Sequence, residues 1–338
     1  MDQRGMRLSI VVNMYNTASY LPKCMDTLLH QDIKGDEYEI ILVDDGSTDE
    51  SLMLANEYLA KREFNPSWPI IRICTHANKG LAGARNTGVD AAVGEYLCFV
   101  DPDDYIEKNS LSAFIRQMED EQLDMLRFNY QKVDEEGNLV ADSKMEANFD
   151  YSSRVMTGKE FMAQRLTTTC YVWAYIYRLE IIKKNNIRFI EGGYFDDTPW
   201  LPRVLQKVKR INCTTIRHLY YLQRNGSLVH TMHKESVMRK VNGQLELIDI
   251  LKIHMESTDK ITQYWYKKMI SHICLSLLTS VAVFDFRNCN SYLKQIQSLF
   301  PLTYEGFEKK ICNKIRILNM CPRLLLWLIH INNIKLYR

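Results

Sequence analysis

The chain has 338 residues, 46% hydrophobic and 25% charged, with 43 Lys and Arg against 41 Asp and Glu for a formal charge of +2. This is the composition of a folded globular protein of one large or two ordinary domains, and it excludes a disordered chain, a collagen-like repeat and a generally basic nucleic-acid coat. Nine cysteines without a Cys-x-x-Cys pair argue against a disulfide framework and a structural zinc site, and for a reducing compartment.

Leu8–Val12 is a β-branched apolar run, too short for the core of a signal peptide and suited to a first strand. Leu21, Cys24, Met25 and Leu28 then recur at helical spacing. Glu39–Val43 reads as a second buried strand running into Asp44-Asp45-Gly46-Ser47, where Ser47 and Glu50 have the spacing of a capping box. Ile70–Cys74 reads as a third strand, Leu81–Ala92 as a helix, and Tyr96–Val100 as a fourth strand that stops at Asp101-Pro102-Asp103-Asp104. Strands alternating with helices over short links predict an α/β domain with a largely parallel sheet.

From Leu123 the pattern is mixed. A hairpin is expected around Glu135–Asn138 and an aromatic strand at Tyr171–Tyr177. A Gly-Gly turn at 192–193 leads into Phe195-Asp196-Asp197, and further strands are expected around Ile211 and Leu219–Leu222. Past Ser227 long helical periodicity sets in, with no proline until Pro301, which places a boundary near residue 230 and makes 231–338 a helical extension. Ile270–Phe284 is apolar but interrupted by Ser271, His272, Ser276, Thr279 and Ser280. It falls short of the roughly 18 apolar residues of a spanning helix and reads as the buried helix of a bundle or a dimer contact. A soluble protein is expected.

Each early strand runs out into polar residues: Tyr15 and Asn16, then Asp44 and Asp45, then Asp101, Asp103 and Asp104. Open α/β sheets bind ligands beyond the carboxyl ends of their strands, so these groups should meet in one crevice. Two carboxylates about 4 Å apart repel by roughly 4 kcal/mol at an effective dielectric near 20, so such a cluster needs a cation or must protonate. Hard oxygen donors beside a polyanionic substrate suit Mg²⁺ or Mn²⁺. Taken singly, Asp-Asp-Gly-Ser-Thr-Asp is also good turn and cap chemistry.

The segments SIVVNMYNTASYLPKCMDTLLHQ, YEIILVDDGSTDES, HANKGLAGARNTGVDAAVGEYLCFVDPDDYIE, GGYFDDTPW and YYLQRNGSLVH, in this order, resemble family 2 of the inverting glycosyltransferases over about residues 7 to 230. The resemblance implies a GT-A fold, with a nucleotide-binding part at about 1–105 and an acceptor-binding part at about 106–230. It implies transfer of a sugar from a nucleotide diphosphate, a UDP-sugar by preference, to an acceptor hydroxyl with the help of Mn²⁺ or Mg²⁺. By the same resemblance Tyr15 and Asp44 hold the base and ribose, Arg85 reaches the nucleobase, and Arg224 and Ser227 contact the diphosphate. Asp101 sits towards the ribose or metal, and Asp103 is the principal metal ligand. Asp197 is implied as the general base and Asp196 as its acceptor-orienting neighbour. Asp104 is read as a solvated helix-start residue, Asp45 and Asp49 as caps, and His230 carries only a faint signal.

Trp173 and Trp200 suit either a sugar-stacking face or the core, the core being commoner. Departures from the family pattern are Asn13, where Pro is usual, and Asp196, where Glu is usual. The acceptor implied is a saccharide or lipid-linked saccharide in cell-surface polysaccharide or glycolipid synthesis, the compartment cytoplasmic, and nucleic acid is not a partner. Nucleotidyl transfer would need a Gly-rich loop after the first strand, which Met14–Thr17 lacks; a non-catalytic nucleotide-sugar-binding or scaffolding relative remains as the alternative. Residues 311–338 have no acidic side chain, with Lys314, Arg316, Arg323, Lys335 and Arg338 around the apolar run Leu324–Ile331. This suits a peripheral contact with an anionic membrane, or a helix packed on the catalytic domain or on a second copy in a homodimer.

Overall fold

The computed structural model describes residues 5–141, 149–224 and 233–334. The chain divides into two compact units, one comprising the residues up to 192 together with 196–224, the other comprising 193–195 and the residues from 225 onward.

The first unit is built on eight strands: β1 (Leu8–Met14), β2 (Tyr38–Asp44), β3 (Ile70–Thr75), β4 (Tyr96–Val100), β5 (Tyr105–Ile106), β6 (Met125–Val133), β7 (Tyr175–Arg178) and β8 (Ile211–Leu222). They form one sheet in the order β3-β2-β1-β4-β7-β6-β8-β5. The β3-β2-β1-β4 half is parallel. Beyond it β7 runs antiparallel to β4 and β6, β8 pairs parallel with β6, and β5 antiparallel with β8. Every residue of β1, β2 and β4 is buried, which explains their nearly unbroken apolar sequences: a parallel strand covered on both faces has no polar side to show.

The parallel strands are linked by α1 (Leu21–Leu29), α2 (Ser51–Glu63) and α3 (Gly80–Ala91); the mixed half adds α4 (Leu111–Asp120), α5 (Gly158–Gln164), α6 (Leu179–Lys184) and α7 (Asp197–Leu205). α3 lies so close to β1 that a Cβ on Gly88 would stand 2.3 Å from Val11 Cγ1. α4 buries Leu111, Phe114, Ile115 and Met118 at helical spacing. Phe99, Tyr177, Phe189 and Trp200 make an aromatic core, with Phe189 and Trp200 stacked at 4.4 Å. Trp200 is fully buried and therefore core, and Trp173, 3% exposed, stacks on Tyr171 at 4.6 Å.

Several local expectations are corrected. α2 begins at Ser51, and the Ser47–Glu50 box does not form, because Ser47 Oγ instead accepts the Asn16 N–H at 3.1 Å. Asp49 serves that helix start, accepting the Ser51 and Ala18 amides at 3.0 Å each. The aromatic strand is shorter, since Val172–Ala174 form a 3₁₀ turn ahead of β7, and the two strands expected after Ile211 are one continuous β8.

The second unit contains α8 (Lys234–Glu256), α9 (Lys260–Phe284), α10 (Cys289–Ile296), α11 (Lys309–Met320) and α12 (Pro322–Ile334). Asp259 caps α9 by accepting the Thr262 amide at 2.9 Å. α9 starts ten residues before the apolar stretch read from sequence. By length and mean hydropathy (1.3) it is long and apolar enough to cross a bilayer, and 56% of its most apolar window is buried. α12 buries Leu325 and Leu326, and leaves Leu324, Trp327 and Leu328 exposed as a stripe.

The α3–β1 approach is testable. Gly88→Ala forces a methyl into Val11 and should cost about 1–3 kcal/mol by urea unfolding. Adding Val11→Ala should recover part of the loss; an unchanged midpoint for Gly88→Ala would contradict this packing.

Candidate active site

Parallel register brings the strand ends together. Met14 pairs with Asp44 and Val12 with Val100, so Tyr15, Asp44, Asp45 and Asp101 emerge at one edge of the sheet. Asp44 is buried, and its Oδ1 accepts the Ser47 amide at 3.3 Å. Asp45 Oδ1 accepts the Lys79 amide at 2.7 Å and faces His76 Nδ1 at 3.2 Å, so this carboxylate pins the loop leading into α3. Gly46 has φ +76°, and a Cβ there would lie 3.1 Å from Asn78 N, so the tight turn after β2 suits glycine. Tyr15 is half-exposed at the rim. Asn13 is buried with neither amide atom hydrogen-bonded, a polar group at the strand end that lacks a partner.

The centre of the site is Arg85 on α3, only 2% exposed. Its Nη1 donates to Asp196 Oδ2 at 2.6 Å and also to Asp197 Oδ1, while Nη2 faces Asp101 Oδ1 at 3.5 Å. Burial works against its charge, but the three carboxylates more than offset that and raise its pKa. Arg85, expected to reach a nucleobase, is thus engaged in joining the acidic residues of β4 to those of α7. The neighbouring Asn86 sets their approach: its Nδ2 donates to Phe189 O and Glu191 Oε1, and its Oδ1 accepts the Phe189 amide at 2.8 Å. That grip fixes the segment leading into Asp196 and Asp197. Neither Asn86 nor the Phe189 backbone carried any signal by spacing or charge.

Asp196 is the N-cap and Asp197 the first residue of α7, where the positive end of the helix favours negative charge. Asp197 Oδ2 also accepts the Val172 amide at 3.3 Å. Burial pushes the Asp197 carboxyl up to about 7; Arg85 opposes the rise, and Asp196 and Asp101 add to it. Asp101 is likewise pushed up to about 6 by burial, against Arg85 and with Asp103 and Asp196. Asp103 Oδ2 pairs with Arg224 Nε at 3.1 Å, and Arg224 also sits over the Tyr20 ring at 5.2 Å.

Asp104 is a correction. It is buried rather than solvated; Oδ1 accepts the Leu222 amide at 2.9 Å, and Oδ2 has no hydrogen-bond partner. Burial, with Asp101 and Asp103 beside it, raises its carboxyl well above the usual range. Ser227 and His230 lie outside the described residues.

Among the described residues no three His, Cys, Asp or Glu side chains are placed to hold a metal ion by themselves. The donor set nonetheless fits a hard divalent cation. Asp101 and Asp103 offer partly exposed carboxylate oxygens, and Mg²⁺-like ions commonly take one or two carboxylates, the remaining positions going to water and substrate phosphates.

Comparison with known proteins gives the family and the fold. Over residues 9–185 the chain matches the model of glycosyl transferase family 2. It is 32% identical over 240 residues to the uncharacterised glycosyltransferase EpsJ of Bacillus subtilis, spanning 71% of this chain and 67% of that one. The structure of S. aureus TarS 1–349 in complex with UDP-GlcNAc superposes with a TM-score of 0.69 at 19% identity, covering 98% of this chain and 92% of that one. A Pyrobaculum calidifontis mannosyltransferase in complex with GDP-Man and Mn²⁺ has a TM-score of 0.56 at 12% identity, covering 97% and 87%. The mixed sheet and its helices are those of the GT-A fold, with a C-terminal helical region. The chain therefore belongs to glycosyl transferase family 2.

Proposed function

We propose that this glycosyltransferase is an inverting enzyme that moves a sugar from a nucleotide-diphosphate donor to an acceptor hydroxyl, with Asp197 as general base and a divalent cation held by Asp101 and Asp103. The observation that carries this reading is the shared guanidinium: Arg85 joins Asp101, on the turn after β4, to Asp196 and Asp197 at the start of α7.

Inversion needs the acceptor oxygen to attack C1 on the face opposite the leaving diphosphate. Asp197 takes the proton from that hydroxyl, and its raised pKa makes it a stronger base than a solvent-exposed carboxylate. Asp196 shares the guanidinium and orients the acceptor, while the Val172 amide holds Asp197 Oδ2 in place. A bound Mn²⁺ or Mg²⁺ would neutralise the departing diphosphate. Arg224 is placed to turn from Asp103 towards the phosphates, which its planar fork suits. Tyr15, Asp44 and the unpartnered Asn13 amide make up the base and ribose side.

TarS supports a uridine donor, since its structure contains UDP-GlcNAc; the mannosyltransferase contains GDP-Man, so the fold itself accommodates either base. Nine unbridged cysteines support a cytoplasmic setting. The acceptor we favour is a saccharide or lipid-linked saccharide of a surface polysaccharide or glycolipid. The exposed Leu324, Trp327 and Leu328, beside basic Arg323, support peripheral contact with an anionic bilayer.

Asp197→Asn should lower kcat by about 10²- to 10⁴-fold with UDP affinity nearly unchanged. In the wild type, the rate should fall about tenfold per pH unit below about 7, because only the ionised carboxylate accepts the proton. Full transfer activity in Asp197→Asn would overturn the assignment of the base. Tight UDP binding without turnover on any donor, with Mn²⁺ or Mg²⁺ present, would indicate the non-catalytic alternative. For the tail, Trp327→Glu with Leu328→Glu should abolish sedimentation with anionic liposomes, and unchanged sedimentation would contradict the membrane reading.

A further inference from the structure

Arg224 leaves the sheet at the end of β8, and the backbone that carries it is held by a side chain where a strand would ordinarily hold it. β5 and β8 pair antiparallel, with Tyr105 opposite Tyr220 and Ile106 opposite Leu219. Just beyond, Glu107 N donates to His218 O at 2.6 Å. In an antiparallel ladder such hydrogen-bonded pairs recur at every second residue. The rungs that follow are therefore Tyr105 with Tyr220, then Asp103 with Leu222. A continued ladder would have the Leu222 amide donate to the Asp103 carbonyl.

That rung is replaced. The chain turns at Asp101–Asp104, where Asp104 N donates to Asp101 O at 2.9 Å, and β5 is only two residues long. The Leu222 amide donates instead to Asp104 Oδ1, at 2.9 Å. A side-chain carboxylate thus stands in for a backbone carbonyl, and Asp103 is released from the sheet to the site. On the other flank of β8, Gln223 N donates to Val133 O at 2.7 Å.

These two bonds fix consecutive residues, and Arg224 comes next. Its Nε reaches Asp103 Oδ2 at 3.1 Å, and its guanidinium lies over the Tyr20 ring at 5.2 Å. Asp104 itself is 1% exposed, and among the described residues its Oδ2 has no hydrogen-bond partner. The contact that its side chain does make lies two residues before Arg224. A long arginine side chain loses affinity for a phosphate through the cost of ordering it, and less of that cost remains when its backbone is already fixed.

We propose that Asp104 is a positioning residue for the donor: its carboxylate pins the end of β8 so that Arg224 stands ready for the diphosphate. This deepens the reading of Arg224 as a diphosphate contact and rests on it. Asp104 acts through the Leu222 amide, not on the donor or the cation. Of the three acids in the run Asp101–Asp104, two serve the site and the third serves the strand beside it.

The test uses the full chain with Mn²⁺ and compares, by calorimetry, the binding of UDP with that of uridine, which lacks the phosphates. Asp104→Leu keeps the bulk and removes the acceptor; it should weaken UDP about tenfold and leave uridine within about twofold. Asp104→Asn keeps an acceptor oxygen and should bind UDP within about threefold of the wild type. In an Arg224→Ala background Asp104→Leu should make no further difference, because the residue it positions is gone. Equal losses of UDP and uridine in Asp104→Leu would mark a general loosening of the fold and overturn the proposal. So would an Asp104→Asn chain as weak as Asp104→Leu, or a loss of the same size with and without Arg224. If Arg224→Ala leaves UDP affinity unchanged, the diphosphate reading of Arg224 fails and the proposal with it. If Arg224→Ala weakens UDP and Asp104→Leu does not, the proposal alone fails.

Discussion

A guanidinium buried to 2% exposure needs counter-charges, and Arg85 has three carboxylates that come from two distant parts of the chain. Asp196 and Asp197 lie 111 and 112 residues away from it in sequence. The same contact that stabilises the buried cation therefore fixes the distance between the acids after β4 and the acids that open α7. Asp101 and Asp197 are raised by burial and by their acidic neighbours and lowered by Arg85. The cluster is a balance in which Arg85, Asp101 and Asp197 are each shifted by their charged neighbours.

Ordinary features of an α/β sheet place that balance where a donor and an acceptor could meet. Parallel pairing of β2, β1 and β4 aligns their carboxyl ends, and Gly88 lets α3 lie close on β1, which carries Arg85 to the same edge. On the other flank, the clamp of Asn86 on Phe189 ties the approach to α7 back onto α3. In the proposed reaction one set of acids would serve the metal and diphosphate and the other the acceptor hydroxyl, with the Arg85 guanidinium between them.

The parallel half of the fold was legible in the sequence because strands covered on both faces show as continuous apolar runs, as in Tyr96–Val100 and Leu8–Val12. The mixed half was not. β6 alternates Leu126, Phe128 and Tyr130 with Arg127, Asn129 and Gln131, but Arg127 on the polar side is buried and the register is irregular around Asn129, so the period of two does not tell which face is covered. The acidic residues announced themselves through their positions at strand ends, but their states did not. Asp104 looks like a solvated helix start until Leu222, 118 residues later, covers it. Ser47 and Glu50 have cap spacing, yet the Ser47 hydroxyl is taken by Asn16, 31 residues earlier. Arg85 stands in a motif that resembles a base-binding one, and only tertiary contacts show its guanidinium committed to carboxylates. Local patterns revealed elements; long-range partners decided what the side chains do.

The central claim is that Asp101 and Asp197 belong to one electrostatic cluster across Arg85. It is tested most directly by following the Asp197 carboxyl carbon by ¹³C NMR through a pH titration, in the wild type and in Asp101→Asn. The account predicts a wild-type midpoint near 7 that moves down when the Asp101 charge is removed, since Asp101 raises it. A midpoint near that of an ordinary aspartate, or one indifferent to Asp101→Asn, would contradict it.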